Sequence, residues 1–371
     1  MALKLIELFG GIGACSSALT KLGIEYEIAD YVEIDKYAVK SYNAIHGTNF
    51  EPQDITTWNK DVKVDLIMHG SPCQDFSLAG KQAGGDEGSG TRSSLMYETI
   101  RIVEKLKPKY VIWENVKNLL SKKHRHNFDA YLETMKQLGY INYYQVLNAK
   151  DYGIPQNRER VFTVSIRSDI DTGFVFPEKQ ELKLKLKDML EDNVDEKYYL
   201  TDSMINYLEN GKYQSSKVSN KLKQTETGIC PTLDTMQGGN RQPCIEIKNN
   251  TEKGVVVKED KTFIEKHYDN FKNKNGYIPE MFNPYNESEI KEVAPTQSTQ
   301  CGSTTSSATV LKRECLRIRK LTPKECWRLM GFDDEDFEKA SQVNSNTQLY
   351  KQAGNSIVVN VLMAIFKELI K

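Results

Sequence analysis

The chain has 371 residues, which is long for one hydrophobic core, so we expect two domains. Fifty basic and 51 acidic residues give a formal net charge of -1, which excludes a globally basic nucleic-acid binder and leaves only local surfaces for such a partner. The seven cysteines contain no C-x-x-C pair and no apolar run reaches membrane-spanning length, so we expect a cytoplasmic protein without a disulfide framework, a cysteine-built zinc site or a membrane anchor.

The first predicted element is a strand over 4–9 that runs into a glycine turn at 10–13. Apolar residues at helical spacing follow the turn as far as Gly23, so this part of the chain predicts a strand, a turn and a helix. Glycines allow the backbone to approach a ligand closely, and the helix N-terminus then faces that ligand. The turn is therefore a candidate cofactor site.

Acidic residues stand near the next predicted strands. A strand over 26–32 places Glu33 and Asp35 at its carboxyl end, about 20 residues after the glycine turn, where a carboxylate suits a ribose diol. A solvated acidic turn explains the same two residues equally well. Asp54 lies shortly before the third strand. We expect three strand ends to converge on one crevice of ligand size.

A cysteine follows the third predicted strand, 65–70. Cys73 stands in Ser71-Pro72-Cys73-Gln74, beyond the carboxyl end of this strand, where open α/β sheets bind their ligands. A lone cysteine is more often an inert buried residue than a nucleophile, so its interpretation depends on its partners. The segment 79–91 is rich in glycine and polar residues and predicts a mobile loop.

Strands and helices alternate through the rest of the first half. A helix that stops near Pro108 precedes a buried strand ending in Glu114-Asn115-Val116, and a helix over 128–138 precedes strands at 141–147 and 161–166. This order predicts an α/β fold with a doubly wound, Rossmann-like, mostly parallel sheet. His124 and His126 stand in a basic polar link, where we expect both rings to be solvated.

From about residue 180 the apolar periodicity fades, which indicates a second domain or a large insertion. Two turn-rich segments within it, beginning at Pro231-Thr232 and at Pro295-Thr296, resemble each other. Further on, Thr322, Pro323 and Glu325 predict a well-capped helix. An apolar stripe over 357–369 predicts a terminal helix that packs back onto the first domain.

Short segments along most of the chain resemble, in order, the motifs of the DNA (cytosine-5)-methyltransferase family of the bacterial or phage restriction-modification type. They are Phe9-Gly10-Gly11-Ile12-Gly13, Glu33, Asp54, Gly70-Ser71-Pro72-Cys73-Gln74-Asp75-Phe76-Ser77, Glu114-Asn115-Val116, Gln156-Asn157-Arg158-Glu159-Arg160, Arg319-Lys320-Leu321-Thr322-Pro323-Lys324-Glu325, Arg328-Leu329-Met330-Gly331-Phe332 and Gly354-Asn355-Ser356-Ile357-Val358. The resemblance implies the S-adenosylmethionine-dependent methyltransferase fold. It also implies a catalytic and cofactor-binding domain over 1–180 plus 340–371, and a smaller, irregular target-recognition domain over 181–339.

The resemblance also implies a reaction. Carbon 5 of cytosine is a poor nucleophile, and addition of the Cys73 thiolate at carbon 6 converts the ring into an enamine that can attack a sulfonium methyl. Glu114 is implied as the acid at ring nitrogen 3, with Arg158 and Arg160 gripping the base and orienting that acid. The implied cofactor is S-adenosylmethionine. Its expected contacts are Phe9, Gly11, Gly13, Glu33, Asp54, Ile55, Pro72, Leu95, Asn355 and Ser356.

The implied substrate is double-stranded DNA with its target cytosine flipped out of the helix, an extrusion that costs a few kcal/mol. Expected DNA contacts are Gln74, Ser77, Lys81 and Arg92. A threonine in a turn before the Arg319 segment would support the flipped nucleotide; Thr296 fits by its distance along the chain and Thr232 by its glycine context, with Thr296 slightly preferred. We expect a monomer that can be paired functionally with a restriction endonuclease.

Two alternatives remain open at this point. An RNA (tRNA) cytosine-5 methyltransferase would use the same catalytic set, although the long unassigned region between Arg160 and Arg319 favours readout of a DNA sequence. A catalytically silent DNA-binding module would keep the fold but would need no such set of nucleophile, acid and arginines. A comparison of methyl transfer to DNA and to tRNA distinguishes a DNA methyltransferase from the first alternative. Covalent trapping of the protein on DNA distinguishes an active enzyme from the second.

Overall fold

The centre of the fold is a six-stranded sheet. The first seven strands are β1 (Leu3–Leu8), β2 (Tyr26–Val32), β3 (Leu66–His69), β4 (Tyr110–Val116), β5 (Tyr140–Asn148), β6 (Gln156–Asn157) and β7 (Glu159–Arg167). All except β6 belong to this sheet, in the order β2-β1-β3-β4-β7-β5. The computed structural model describes residues 2–72, 92–200, 228–233, 235, 243–248, 270–276, 281–283, 288–289, 310–311 and 316–370.

Most of the sheet is parallel. β1 runs parallel to β2 and to β3, and β3 runs parallel to β4. β7 is antiparallel to both of its neighbours, β4 and β5. The predicted α/β fold with a mostly parallel sheet is therefore confirmed. The strands β1 to β4 all end at one edge, which we call the carboxyl edge.

Helices α1 (Ala14–Lys21), α2 (Lys36–His46), α3 (Met96–Leu106) and α4 (Arg125–Gln137) connect these strands. Each has apolar residues at helical spacing and buries that face. Ile100 and Val103 of α3, for example, join one hydrophobic cluster with residues of β1, β3 and β4. This packing fixes the strand ends at which the predicted site lies.

Four helices complete the C-terminal part: α5 (Pro323–Arg328), α6 (Asp334–Ser341), α7 (Asn346–Asn355) and α8 (Val359–Leu369). The predicted cap of α5 is confirmed, because the Thr322 hydroxyl accepts a hydrogen bond from the Glu325 backbone N–H and the Glu325 carboxylate accepts one from Thr322 N–H. The apolar stripe of α8 is buried and packs against α1, as predicted. No helix in the described ranges combines the length and the apolar character needed to cross a membrane.

The chain forms two units, Met1–Ile245 with Arg319–Lys371, and Glu246–Ile318. In the second, β10 (Met281–Asn283) pairs antiparallel with both β11 (Ser288–Glu289) and β12 (Val310–Leu311). The remaining strands are β8 (Cys230–Pro231), which pairs with β6, and the mutually paired β9 (Cys244–Lys248) and β13 (Leu316–Lys320). The functional division into a catalytic domain, 1–180 plus 340–371, and a target-recognition domain, 181–339, stays a prediction.

The expected solvation of the two link histidines is wrong for one of them. His124 immediately precedes α4 and is only 1% exposed, whereas His126 is exposed. The polarity of the surrounding sequence concealed this burial, because the lysines beside His124 point to solvent while its ring turns inward. Burial, together with the positive charges of Lys123 and His126, lowers the pKa of His124.

Candidate active site

The glycine turn after β1 forms one wall of the site. Gly11 and Gly13 both have left-handed backbone conformations, with φ of 55° and 83°. A Cβ at Gly13 would lie 2.2 Å from His46 Nε2, so packing alone requires a glycine there. A Cβ at Gly11 would meet nothing within 4 Å. Gly11 therefore borders open space, as a backbone that receives a ligand must.

Three predicted cofactor contacts share one apolar wall beside this turn. Phe9 and Leu95 are half-buried and pack against the hydrophobic cluster that contains Ile55. Phe9 also has a positive φ of 53°, which is rare for a bulky residue and is found mainly where a site requires it. The strand before Phe9 and the turn after it hold the ring in this wall.

Glu33 connects the second strand end to the glycine turn. Its Oε2 accepts a hydrogen bond of 3.2 Å from Gly11 N–H, and its Oε1 accepts one of 2.8 Å from Asp35 N–H. Burial raises the pKa of Glu33, while these backbone donors oppose the rise. Gln53 N–H donates to Glu33 O over 2.8 Å and so brings the exposed Asp54 alongside. Glu33 is therefore held against the glycine turn, and Asp54 follows the residue that bonds to the Glu33 carbonyl.

The predicted acid, Glu114, is buried near the end of β4 and forms an ion pair with Arg160. Arg160 Nε lies 3.0 Å from Glu114 Oε1, and both side chains are mostly buried. The register explains the contact: Glu114 faces Phe162 across the two strands, so Arg160 is its diagonal neighbour on the same face of the sheet. Burial raises the pKa of Glu114, and the charges of Arg160 and Arg158 only partly oppose this.

The segment that leads to Cys73 runs beside Glu114. A Cβ at Gly70 would lie 3.8 Å from Glu114 Oε2, so the backbone passes close to the carboxylate. The buried indole of Trp113 donates a 2.9 Å hydrogen bond to Ser71 Oγ and fixes the direction of the chain as it leaves β3. Pro72 is half-buried. Cys73 is the next residue and lies outside the described ranges.

Arg158 lies close to Glu114 and Arg160, and its guanidinium also donates hydrogen bonds to main-chain carbonyls. Its guanidinium donates to Leu233 O at 3.0 Å, to Gly354 O at 3.1 Å and to Ser356 O at 2.8 Å. It thereby caps the C-terminal end of α7, where Asn355 is exposed and Ser356 is buried. A small cavity beside it is lined by Glu114, Leu147, Arg158, Arg160, Phe162, Ile357, Val358 and Val361.

Thr232 is also brought next to these residues. Its hydroxyl donates a 2.8 Å hydrogen bond to Asn157 O, and β8 pairs in parallel with β6 immediately before Arg158. The side chain of Gln156, fully buried, accepts from Leu233 N–H at 3.3 Å and donates to Leu329 O at 2.7 Å. The turn containing Thr232 is therefore anchored to β6, which Arg158 directly follows.

The other predicted DNA contacts have side chains outside the part of the chain that the structure describes. Gln74, Ser77, Lys81 and Thr296 lie outside the described residues. Arg92 begins a short 3₁₀ helix that leads into α3, and only its backbone is described. Their contacts with DNA stay predictions.

Buried polar groups beneath the glycine turn escaped the sequence analysis. The Tyr31 hydroxyl donates to Gly11 O at 2.6 Å, and its ring stacks on Tyr42 at a centroid distance of 3.7 Å. Tyr42 and Ser16 both donate hydrogen bonds to the carboxylate of Glu7, which lies within β1. A lone acid inside a strand was the available signal, because an unpartnered carboxylate is seldom buried.

Comparison with known proteins gives matches along nearly the whole chain. Residues 3–371 match the family described as C-5 cytosine-specific DNA methylase. The chain is 33% identical over 451 residues to the orphan methyltransferase M.SPBetaI of Bacillus phage SPbeta, an alignment that covers 99% of this chain and 97% of that protein. It is 33% identical over 424 residues to the type II methyltransferase M2.ScrFI of Lactococcus lactis subsp. cremoris, covering 100% of this chain and 99% of the relative.

Solved structures show the same fold at lower identity. The S. pombe Dnmt2 methyltransferase superposes with a TM-score of 0.62 and 17% identity, covering 100% of both chains. A Spodoptera frugiperda DNMT2 mutant gives a TM-score of 0.64 and 20% identity with the same coverage. The family match over nearly the whole chain, together with full-length relatives above 30% identity, identifies this chain as a member of the C-5 cytosine-specific DNA methylase family and hence as a DNA cytosine-5 methyltransferase.

Proposed function

We propose that the protein is a sequence-specific enzyme that transfers a methyl group from S-adenosylmethionine to carbon 5 of a flipped-out cytosine in duplex DNA, through a covalent adduct with Cys73. The observation that carries this proposal is the buried Glu114–Arg160 ion pair, which lies beside the backbone at Gly70. Cys73 follows Gly70 by three residues and would face the same base.

The cofactor proposal is supported by the donor set around the glycine turn. Gly11 borders open space, the Glu33 carboxylate suits a ribose diol, and Phe9 offers a ring beside the apolar wall of Ile55 and Leu95. Asp54 is the second acid at this end of the sheet. S-adenosylmethionine, when bound, supplies a methyl group on a positively charged sulfur, which makes that carbon electrophilic.

The proposed chemistry requires two side chains in opposite protonation states, a deprotonated Cys73 and a protonated Glu114. Cys73 reacts as a thiolate and forms a bond to carbon 6 of the cytosine, which places electron density on the ring. Glu114 shares its proton with ring nitrogen 3 and stabilises that density, so it has to hold a proton at neutral pH. Its burial favours this state, and Arg160 fixes the direction of the carboxyl group.

For Arg158 we propose a positioning role in addition to the predicted contact with the base. Its hydrogen bonds to Leu233, Gly354 and Ser356 hold the turn after β8 and the end of α7 in place. For the support of the flipped nucleotide we propose Thr232, because its hydroxyl and the adjoining β8 hold its turn beside Arg158; Thr296 stays the alternative that the sequence predicts. A target-recognition role within 181–339, a companion restriction endonuclease, a monomeric state and a cytoplasmic location stay predictions.

The direct test is covalent trapping on duplex DNA containing 5-fluorocytosine, in the presence of S-adenosylmethionine. We expect a stable protein–DNA adduct with the natural protein and none with Cys73→Ser, which should still bind the cofactor because the thiolate enters only the chemical step. Bisulfite sequencing of DNA from expressing cells identifies the methylated position. Absence of any adduct would favour a silent DNA-binding module, and methylation of tRNA without methylation of DNA would contradict the proposed substrate.

A further inference from the structure

A basic turn lies at the carboxyl edge of the sheet, directly after the strand that carries Glu114. We define it as residues 117–126, from the 3₁₀ helix that follows β4 to the first residues of α4. It contains four Lys or Arg residues and two histidines, and no acidic residue occurs between Glu114 and Asp129. In a chain with a net charge of -1, this is a local concentration of positive charge beside the candidate active site.

The basic turn is held rigidly at both ends. Leu119 is fully buried in the core and His124 is 1% exposed. Between them, Ser121 O accepts backbone hydrogen bonds from His124 at 3.0 Å and from Arg125 at 2.8 Å. Lys122 and Lys123, between these two anchors, are exposed. The backbone therefore presents two ammonium groups from a fixed position.

The positive charges of the basic turn do not stabilise α4. Its N-terminus carries partial positive charge, so cations at this end of a helix are unfavourable. Arg125 and Lys117 form ion pairs with Asp129 and Glu159, at 2.7 Å and 3.0 Å. Within the described part of the chain, neither Lys122 nor Lys123 forms an ion pair. Two exposed lysines at an unfavourable helix end require another explanation.

We propose that the basic turn binds the phosphate backbone of duplex DNA next to the extruded cytosine, with Lys122 and Lys123 as the phosphate ligands. The inference rests on the proposed function, because a base that reaches Glu114 brings its duplex to the carboxyl edge. Lysine ammonium groups bind phosphate as point charges without reading bases. The basic turn would therefore contribute affinity and orientation but no sequence preference.

The test is a salt titration of DNA binding by the full chain and by the double variant Lys122→Gln/Lys123→Gln, with two unrelated duplexes of equal length. Each lost phosphate contact should reduce the slope of log affinity against log salt concentration by about one, so we expect a slope shallower by about two between about 50 and 200 mM salt. Binding of both duplexes should weaken to the same extent. The KM for DNA should rise accordingly.

The matched control is Lys107→Gln/Lys136→Gln, which removes the same charge at the opposite edge. Lys136 lies near the far end of α4, about 16 Å along the helix axis from Arg125, and Lys107 caps the end of α3. Both lysines are exposed. We expect this variant to keep the salt slope of the natural protein. If the salt slope fell equally in the test and control variants, the effect would come from net charge alone, and the proposal would be wrong.

Thermal unfolding supplies an independent readout. Because Lys122 and Lys123 lie at an unfavourable helix end, their replacement should leave the melting temperature unchanged or raise it. A marked fall in melting temperature would overturn the proposal by showing that the two lysines have a structural role. An unchanged salt slope would overturn it by showing that they do not bind phosphate. The proposed function fails separately, if the natural protein does not form the 5-fluorocytosine adduct, and the salt titration remains interpretable in that case.

Discussion

At the scale of single residues, the ion pair of Glu114 and Arg160 combines two requirements that conflict in water. A carboxyl group that gives a proton to a base must be protonated near neutral pH, which burial favours. The same group must be oriented, which requires a charged hydrogen-bond donor that favours the ionised form. Arg160 contacts one oxygen of the carboxyl group, and burial of the group keeps the pKa of Glu114 above its ordinary value.

Replacement of Glu114 tests this balance. Glu114→Gln keeps the shape of the side chain but cannot transfer a proton, so we expect formation of the 5-fluorocytosine adduct to slow by about 10²-fold or more, with cofactor binding unchanged. Single-turnover trapping measures the rate. Glu104→Gln, an exposed change on α3, serves as the control and should behave like the natural protein. A normal rate for Glu114→Gln would remove the proposed role as acid.

Glu7 is another buried acid, and its raised pKa predicts how the stability of the protein depends on pH. Burial raises the pKa of Glu7 from 4.5 to about 7, although hydrogen bonds from Ser16 and Tyr42 oppose the rise. Between these values the native state holds a proton that the unfolded chain has lost. The contribution of Glu7 to stability is therefore complete below about pH 4.5 and disappears as the pH rises towards about 7.

A Glu7→Gln variant cannot ionise and should lose this dependence. The free energy of unfolding of the variant, minus that of the natural protein, should increase from about pH 5 to about pH 7, by at most about 1.4 kcal/mol per pH unit, and then level off. Urea denaturation at several pH values measures the difference. A difference that stays constant with pH would show that Glu7 is already ionised in the folded protein.

At the scale of elements, α5 shows how a short helix is stabilised by polar contacts. Thr322 and Glu325 cap it reciprocally, and Glu325 also accepts two hydrogen bonds of 2.6 and 2.7 Å from the buried guanidinium of Arg319. The helix has six residues, too few to be stable without such help. Its cap and its packing therefore determine whether it forms.

We expect Thr322→Ala to lower the free energy of unfolding by about 1 kcal/mol, because a backbone N–H at the start of α5 loses its acceptor. Ser345→Ala is the matched control: Ser345 occupies the same position before α7 but forms no capping hydrogen bond, so the change should be much smaller. Chemical denaturation of both variants measures the difference. Equal losses in the two variants would mean that the Thr322 cap contributes nothing specific.

The elements most accurately predicted from sequence are those with one clear period. β2, α3 and α8 show alternating or helical apolar patterns, and the structure has them within a few residues of the predicted limits. α2 was not predicted, although its buried residues Ala38, Val39, Tyr42 and Ile45 follow helical spacing. Lys40, Ser41 and Asn43, which stand between them, made its apolar face less apparent.

At the scale of the whole molecule, sequence reasoning located the strand ends but not the contacts that join distant segments. Arg158 bonds to carbonyls 75, 196 and 198 residues away along the chain. Such contacts depend on tertiary packing and leave no local pattern in the sequence, so sequence reasoning could not predict them. The division into units likewise follows from packing, because Arg328 bonds to the carbonyls of Met189 and Leu190 and ties that region to α5.

The carbonyl contacts of Arg158 also bear on how this protein can diverge. Every residue type presents the same carbonyl oxygen, so side chains at positions 233, 354 and 356 can change without removing the three hydrogen bonds. Lysine could not replace the arginine, since a single ammonium lacks the planar fork that reaches three acceptors. A lineage could thus alter the side chains of the turn after β8 while the Arg158 guanidinium keeps the backbone of that turn beside β6.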